Sequence, residues 1–315
     1  MQKRIVTIGG GTGTYVVLSA LKNFDFDLSA IVSMADDGGS TGRLRDDYGV
    51  LPPGDIRRSL IALSATSKPL RKLFDFRFEN GDLDGHNFGN LFLSALEKIE
   101  GSFHNAVRTA SQVLNVKGRV IPVTLSNVRL CAELENGEVV TGETNIDIPR
   151  HNSKLKIKKI FLQPAAKSNR DALLAIQKAD LIIIGPGDLY TSILPNFLVN
   201  GMVKAIKNSR ARKIYLCNLM TKNGETNGFS VIEFLGVIEN YLGKDVIDYV
   251  LVNAKKPGAV RLKRYAEENA ELVTLAKDYK EQLNKTAILK VDLLTKSGLI
   301  RHDTKKLANK ILNLL

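Results

Sequence analysis

Apolar residues follow two rhythms along this chain. Short β-branched runs read as buried strands, and apolar positions spaced three or four apart read as helices. Ile5, Val6 and Ile8 form the first strand pattern, and Val16, Val17, Leu18, Ala20 and Leu21 the first helix. Residues 28–35 repeat the strand pattern, and Ile56, Leu60 and Leu63 lie on a helix that Asp55 can cap after the Pro53-Gly54 turn. Leu91 to Ile99 and residues 103–114 read as helices, and residues 118–123 as a strand. Asn136-Gly137, between two short apolar runs, is a hairpin turn. Residues 157–162 resemble a strand and 169–179 a helix. Residues 181–184, 213–218 and 248–253 continue the strands, the last being the final core strand expected. Residues 305–315 form a helix whose apolar face docks on the core or on a subunit interface. Residues 36–43, 74–84, 142–149 and 219–226 read as turns and loops.

Strands alternating with helices imply an α/β protein with a mostly parallel sheet. Small antiparallel strands around 118–165 would form an inserted lobe. A chain of 315 residues suffices for one large α/β domain or two smaller ones. A hydrophobic fraction of 44% is ordinary for a globular protein, and no apolar run reaches a membrane span. The N-terminus lacks a signal-peptide pattern, so a cytoplasmic location is expected. Cys131 and Cys217 share no metal or redox spacing and read as buried free thiols. The formal charge of +12 is scattered over pairs such as Lys158-Lys159 and Lys255-Lys256. With 6% aromatics and no Trp, a single-strand stacking platform is not supported. An anionic small molecule is the simpler partner, and no nucleic acid is expected.

Candidate chemistry concentrates where strands end. Gly9, Gly10, Gly11, Thr12 and Gly13 join the first strand to the first helix. Such a turn aims backbone N–H groups at an anion and lets the backbone approach it closely. Asp36 and Asp37 end the second strand, where ligands of open α/β sheets bind. They could hold a ribose hydroxyl, coordinate Mg²⁺ with phosphate oxygens, or simply cap a polar turn. Arg57 and Arg58 oppose the dipole of their helix unless an anion compensates, or else form an exposed pair. His86, Asn87, Gly89 and Asn90 open a further helix, and His86 suits either acid–base work or ligand positioning. His104, His151 and His302 have no ligand spacing. Gly185, Gly187, Asp188 and Thr191 repeat the strand–glycine-loop logic, and Asn218 ends another strand facing a base or sugar. Lys222 offers a phosphate partner or a solvated lysine.

The opening turn is not a Walker A loop, because it lacks the lysine. It matches a dinucleotide fingerprint at Gly9 and Gly11, but Thr14 occupies the last glycine position. One GxG is a weak signal; the further polar clusters give it weight.

The segments TIGGGTG, MADDGGSTGRLR, LPPGDIRR, GHNFGN, IIIGPGDLYTSILPN and CNLMTKNGET together resemble the YvcK-like family of gluconeogenesis factors. That family is grouped with the 2-phospho-L-lactate transferases of deazaflavin-coenzyme biosynthesis. The resemblance covers nearly the whole chain. It implies a Rossmann-like fold with helices on both faces, organised as one domain over 1–315 with a lobe around 118–165 and a C-terminal helical segment around 257–315. It implies a nucleotide-binding turn at Gly10 to Gly13, an acidic strand end at Asp36 and Asp37 near diphosphate or metal, and further ligand contacts from His86, Asn87, Gly89, Asn90, Gly185, Gly187, Asp188, Thr191 and Asn218. Lys222-Asn223 departs from the Gln-Pro of many relatives and puts the rigidity of that loop in question.

The resemblance favours a binding and regulatory factor over an enzyme. It implies a UDP-sugar ligand, notably UDP-N-acetylglucosamine, optional Mg²⁺ and no tightly held cofactor. The implied roles are growth on gluconeogenic carbon sources and cell-shape and cell-wall homeostasis, through a cell-envelope regulatory partner. A homodimer is expected. The alternative is a Mg²⁺-dependent transferase using a nucleotide-diphosphate-linked donor, with His86 guiding an acceptor hydroxyl. A nicotinamide dehydrogenase is the remaining reading.

Overall fold

The computed structural model describes residues 2–315. The chain starts with β1 (Lys3–Gly9), α1 (Gly11–Leu21) and β2 (Phe26–Val32), followed by α2 (Gly39–Tyr48), α3 (Gly54–Leu63), α4 (Lys68–Asp75), α5 (Phe88–Glu100) and α6 (Phe103–Val113). Then come β3 (Arg119–Pro122), β4 (Arg129–Leu134), β5 (Val139–Thr141), α7 (Glu143–Asp147), β6 (Ile157–Gln163), α8 (Arg170–Lys178) and β7 (Leu181–Ile184). After a wide helical turn at Leu189–Ile193 follow α9 (Pro195–Leu198), α10 (Met202–Asn208), β8 (Arg212–Leu216), α11 (Val231–Leu242), β9 (Tyr249–Asn253), α12 (Ala259–Ala266), β10 (Ala287–Val291) and α13 (Thr304–Leu312).

Seven strands form one sheet in the order β10-β9-β8-β7-β1-β2-β3, and all neighbours run parallel. A sheet with both faces covered needs strands apolar on both sides. Ile5, Ile8, Leu181, Ile182, Ile184 and Ile214 are accordingly fully buried. The antiparallel lobe, β5-β4-β6, is the insertion expected near 118–165, but it starts only at Arg129: Arg119–Pro122 of that range is β3, paired parallel with β2 in the main sheet. No helix among the described residues is long and apolar enough to cross a membrane.

Three local readings change. The Asp36–Arg43 stretch turns into α2 from Gly39 onward, and the irregular 142–149 segment contains the short helix α7. Asp248–Asn253 is not the last strand, because β10 pairs with β9 beyond it. β10 is only half buried and has polar Lys290 within it, so it lacks the unbroken apolar run of the central strands. The terminal helix docks on the core: α13 packs against α1 through Leu307, Ala308 and Ile311. Both cysteines are free and buried.

The chain leaves β1 in two directions. It builds β2 and β3 on one side and β7 to β10 on the other. In open α/β sheets such a switch point, at the carboxyl ends of the strands, creates the ligand crevice. Gly13 closes the back of it. A Cβ on Gly13 would sit 2.0 Å from the Pro186 carbonyl oxygen, so only glycine lets α1 lie this close to the loop after β7.

Candidate functional site

A cavity of about 480 Å³ occupies the switch point. Gly10 to Gly13 form one wall, at the N-terminus of α1. Gly38 and Gly39, at the N-terminus of α2, form the next. Two helix N-termini, neither capped by the side chain of its own N-cap residue, thus converge on one space, a geometry that favours an anion.

Carboxylates crowd the same space. Asp36, Asp55, Glu143, Asp147 and Asp188 line it, against the cations Arg58 and Arg301. Asp36 Oδ1 accepts from the Gly38 N–H at 3.0 Å and Oδ2 from the Thr41 hydroxyl at 2.9 Å. Burial nevertheless raises its pKa. Burial, and then the charge of Asp36, pushes Asp55 up to about 6, although Arg58 lies 3.6 Å away. Burial among Asp36, Asp147 and Asp55 pushes Glu143 up to about 10, so it is protonated at neutral pH. Burial likewise raises Asp188, with Lys222 opposing.

Asp147, Asp188 and Glu225 bring carboxylate oxygens within 4.8 Å of one another, a grouping that could hold a metal ion. Glu225 is already engaged: it accepts from the Tyr190 N–H at 3.0 Å and the Thr191 hydroxyl at 3.1 Å. Asp147 is paired with Lys222 at 3.0 Å. Asp188 and Asp147 face the cavity and are the members of this grouping that a divalent cation would meet from it; Asp36 lines the same cavity but lies outside the grouping. Hard oxygen ligands of this kind suit a divalent cation, with Lys222 already beside Asp147 as a competing charge.

The sequence candidates divide by position. Gly10, Gly11, Thr12, Gly13, Asp36, Gly187, Asp188 and Asn218 line the cavity. Gly9 and Gly185 lie just behind, at and after the ends of β1 and β7. Asp37 is turned away from it. Its carboxylate accepts from the backbone N–H groups of Glu143 and Thr144 and lies 3.6 Å from Arg129, so it ties α7 and the lobe to the strand end. Thr191 bonds Glu225 rather than facing the cavity.

The GHNFGN block is also a support. The Asn87 N–H donates to Ser40 Oγ at 3.2 Å, and His86 Nδ1 lies 3.3 Å from the same oxygen. Asn90 Nδ2 donates to the Thr41 hydroxyl at 3.4 Å. Asn87 caps α5, and Gly89 leaves room for the Arg57 side chain, which a Cβ would meet at 2.7 Å. Burial, then Arg43, lowers the pKa of His86. Together these residues hold the first turn of α2, and hence Asp36, from behind.

Asn218 and a wall of C-terminal residues complete the cavity. Asn218 Nδ2 donates to the Gly187 carbonyl at 2.8 Å, while its Oδ1 is buried without a partner among the described residues. Leu219, Met220, Tyr265 and Ile300 make this end apolar. His302, pushed down to about 4 by burial, is neutral there, and its Nε2 has no partner among the described residues. Sequence reasoning missed Glu143, Asp147, Tyr265, Arg301 and His302 as site residues. They come from the lobe and the C-terminal third, where no motif flags them. Asp55 and Arg58 were legible only as a cap and a dipole mismatch; Arg57 is instead buried against Phe74 and Asp75.

An α/β protein with a cleft at the sheet switch point defines the class. The sequence model of the family described as 2-phospho-L-lactate transferase CofD matches residues 5–294. A gluconeogenesis factor of Halalkalibacterium halodurans is 44% identical over 313 residues, covering 99% of this chain and 96% of the relative. The gluconeogenesis factor of Listeria monocytogenes is 41% identical over 314 residues, covering 99% and 95%. A crystal structure of a UPF0052-family protein from Bacillus halodurans superposes with a TM-score of 0.94 at 42% identity, over 99% of each chain. The chain belongs to the YvcK-like gluconeogenesis-factor family, distantly related to the 2-phospho-L-lactate transferases.

Proposed function

We propose that the chain is a nucleotide-sugar-binding regulatory factor whose ligand is a UDP-sugar such as UDP-N-acetylglucosamine. The observation that carries this reading is a single cavity with two glycine-rich helix starts at one end and apolar side chains at the other. At the glycine-rich end, the starts of α1 and α2 would supply N–H groups for a diphosphate. At the other end, the unpartnered Asn218 Oδ1 would accept from an N–H donor such as that of uracil, beside Leu219, Met220 and Tyr265. Leaving that buried oxygen unpaired is costly, so a ligand that pairs it gains affinity.

Mg²⁺ fits the acidic wall. Asp36 on one side of the cavity, or Asp147 and Asp188 on the other, would hold it, and it would offset the repulsion between those carboxylates and a diphosphate. Occupancy at Asp36 would bias α2 and, through Ser40, Thr41 and the GHNFGN block, the surface beyond it. Contact of such a surface with a cell-envelope regulatory protein would link nucleotide-sugar level to growth on gluconeogenic carbon sources and to cell shape. The relatives' names as gluconeogenesis factors support the carbon-source part of this reading.

Glu143 favours a second reading, transfer from a nucleotide-diphosphate-linked donor. Its carboxyl is held protonated beside the acidic wall and could supply a proton at neutral pH. Competition binding with UDP-N-acetylglucosamine, GDP and NAD, followed by phosphorus NMR of the bound mixture, tests both. Binding of the UDP-sugar without release of UMP or UDP supports the regulator. Release in the presence of an acceptor supports transfer, and exclusive binding of NAD overturns both.

A further inference from the structure

Beyond Met220 the carboxyl ends of β9 and β10 open into a second cavity, about 640 Å³ in volume. Buried Val252 and Val273 lie at its base, and Leu262 and Leu275 face it from the sides. Its volume lies within the range of small-molecule sites. α12 stands between the two cavities: Tyr265 faces the first, and Leu262 and Ala266 the second.

No residue of α12 is buried. Polar ties help to hold the helix: Arg261 donates to the Thr295 carbonyl at 2.8 Å, and the Ile300 N–H donates to the Tyr265 hydroxyl at 3.0 Å. Leu262 and Tyr265 pack only partly buried against Leu219, Leu294 and Ile300, and Leu262 also lines the groove. The rim is positive. Lys255, Lys256 and Lys290 stand there against one carboxylate, Glu271. Lys255 reaches Asp292 at 3.9 Å and Lys290 lies over the Tyr279 ring at 4.9 Å. Lys256 makes no ion pair among the described residues.

We infer that this groove is a second small-molecule site, which takes an amphiphile with a short apolar chain and one anionic head, a carboxylate or a phosphate monoester. The chain removes apolar surface of Val252, Leu262 and Leu275 from water, and the rim lysines select the head by charge. The site goes beyond the nucleotide reading and does not depend on it, because its lining shares only Met220 with the first cavity.

Calorimetric titration of the full chain with decyl phosphate, below its micelle concentration, tests this. The cationic decyltrimethylammonium serves as the charge control. Expected are one saturable site, at least tenfold tighter binding of the phosphate than of the cation, and no displacement by UDP-N-acetylglucosamine. Leu262→Glu should weaken binding at least tenfold, while Val260→Glu, at a position 87% exposed on the same helix, should leave it unchanged. If Leu262→Glu fails to fold by circular dichroism, the double variant Lys256→Glu/Lys290→Glu should erase the preference for phosphate. Equal affinity for both amphiphiles, non-saturating uptake, displacement by the nucleotide sugar, or indifference to these groove variants would each overturn the inference.

Discussion

The Thr41 hydroxyl donates to Asp36 Oδ2 at 2.9 Å, and so fixes the one carboxylate of the Asp36-Asp37 pair that faces the cavity. Asn90 donates to that same hydroxyl from outside the cavity. Thr41→Val keeps the shape and removes the bond. Hydrogen bonds to charged groups contribute roughly 1.5–3 kcal/mol, so Mg²⁺-dependent nucleotide affinity should fall about tenfold or more. Asn90→Ala should act in the same direction, more weakly. Calorimetry checks both, and an unchanged affinity in Thr41→Val would show that Asp36 is not positioned in this way.

Asp36→Asn removes the charge and keeps the size. Affinity for the nucleotide should drop in Mg²⁺ and change little in EDTA, since the carboxylate acts through the cation. Equal losses with and without Mg²⁺, or no loss in either, would refute that role.

The acidic wall sets a pH dependence. Asp55 is raised to about 6 and Glu143 to about 10, both above the value of roughly 4 for carboxyls in an unfolded chain. The folded protein keeps protons that the unfolded chain releases. The stability contributed by these two groups is full below pH ~4 and is lost as pH rises through 6 and on toward 10. The metal-free protein should therefore melt at a higher temperature at pH ~5.5 than at pH ~8. Saturating Mg²⁺ should narrow the gap. Scanning fluorimetry in EDTA reads this directly, and a melting temperature that climbs steadily over that range would contradict it.

Gly13→Ala should destabilise the protein by roughly 1–3 kcal/mol, because the new Cβ has to displace the Pro186 backbone. Urea denaturation measures it. Thermal stability equal to wild type would mean that α1 and the loop after β7 are less closely packed than described.

Much of the fold was legible in the sequence because the central strands are buried on both faces. Ile5-Val6 and Leu181-Ile182-Ile183-Ile184 carry their own signal. β10 does not, since an edge strand with Lys290 in it has no unbroken apolar run. α2 was hidden for a related reason. Its first turn, Gly39-Ser40-Thr41-Gly42, has the composition of a loop and is held helical by Asn87, His86 and Asn90 from another segment.

The glycine turn, Asp36, Asp188 and Asn218 could be placed at the site because each ends a readable strand. The equal weight given to Asp37 could not be resolved by sequence, because the side chains of adjacent residues point apart. Asp37 caps the lobe helix and Asp36 faces the cavity. Tyr265, Arg301 and His302 reach the site only through the folding back of the C-terminal third, and no local spacing encodes that.

The central claim is that one composite cavity holds a nucleotide-diphosphate sugar. Calorimetric titration of UDP-N-acetylglucosamine in Mg²⁺, into wild type and Asn218→Ala, tests it most directly. One saturable site is expected in the wild type and a loss of about tenfold in Asn218→Ala, with UDP alone affected equally if the proposed pairing of Asn218 with the base holds. No saturable heat with the wild type, or identical isotherms for the two proteins, would contradict it.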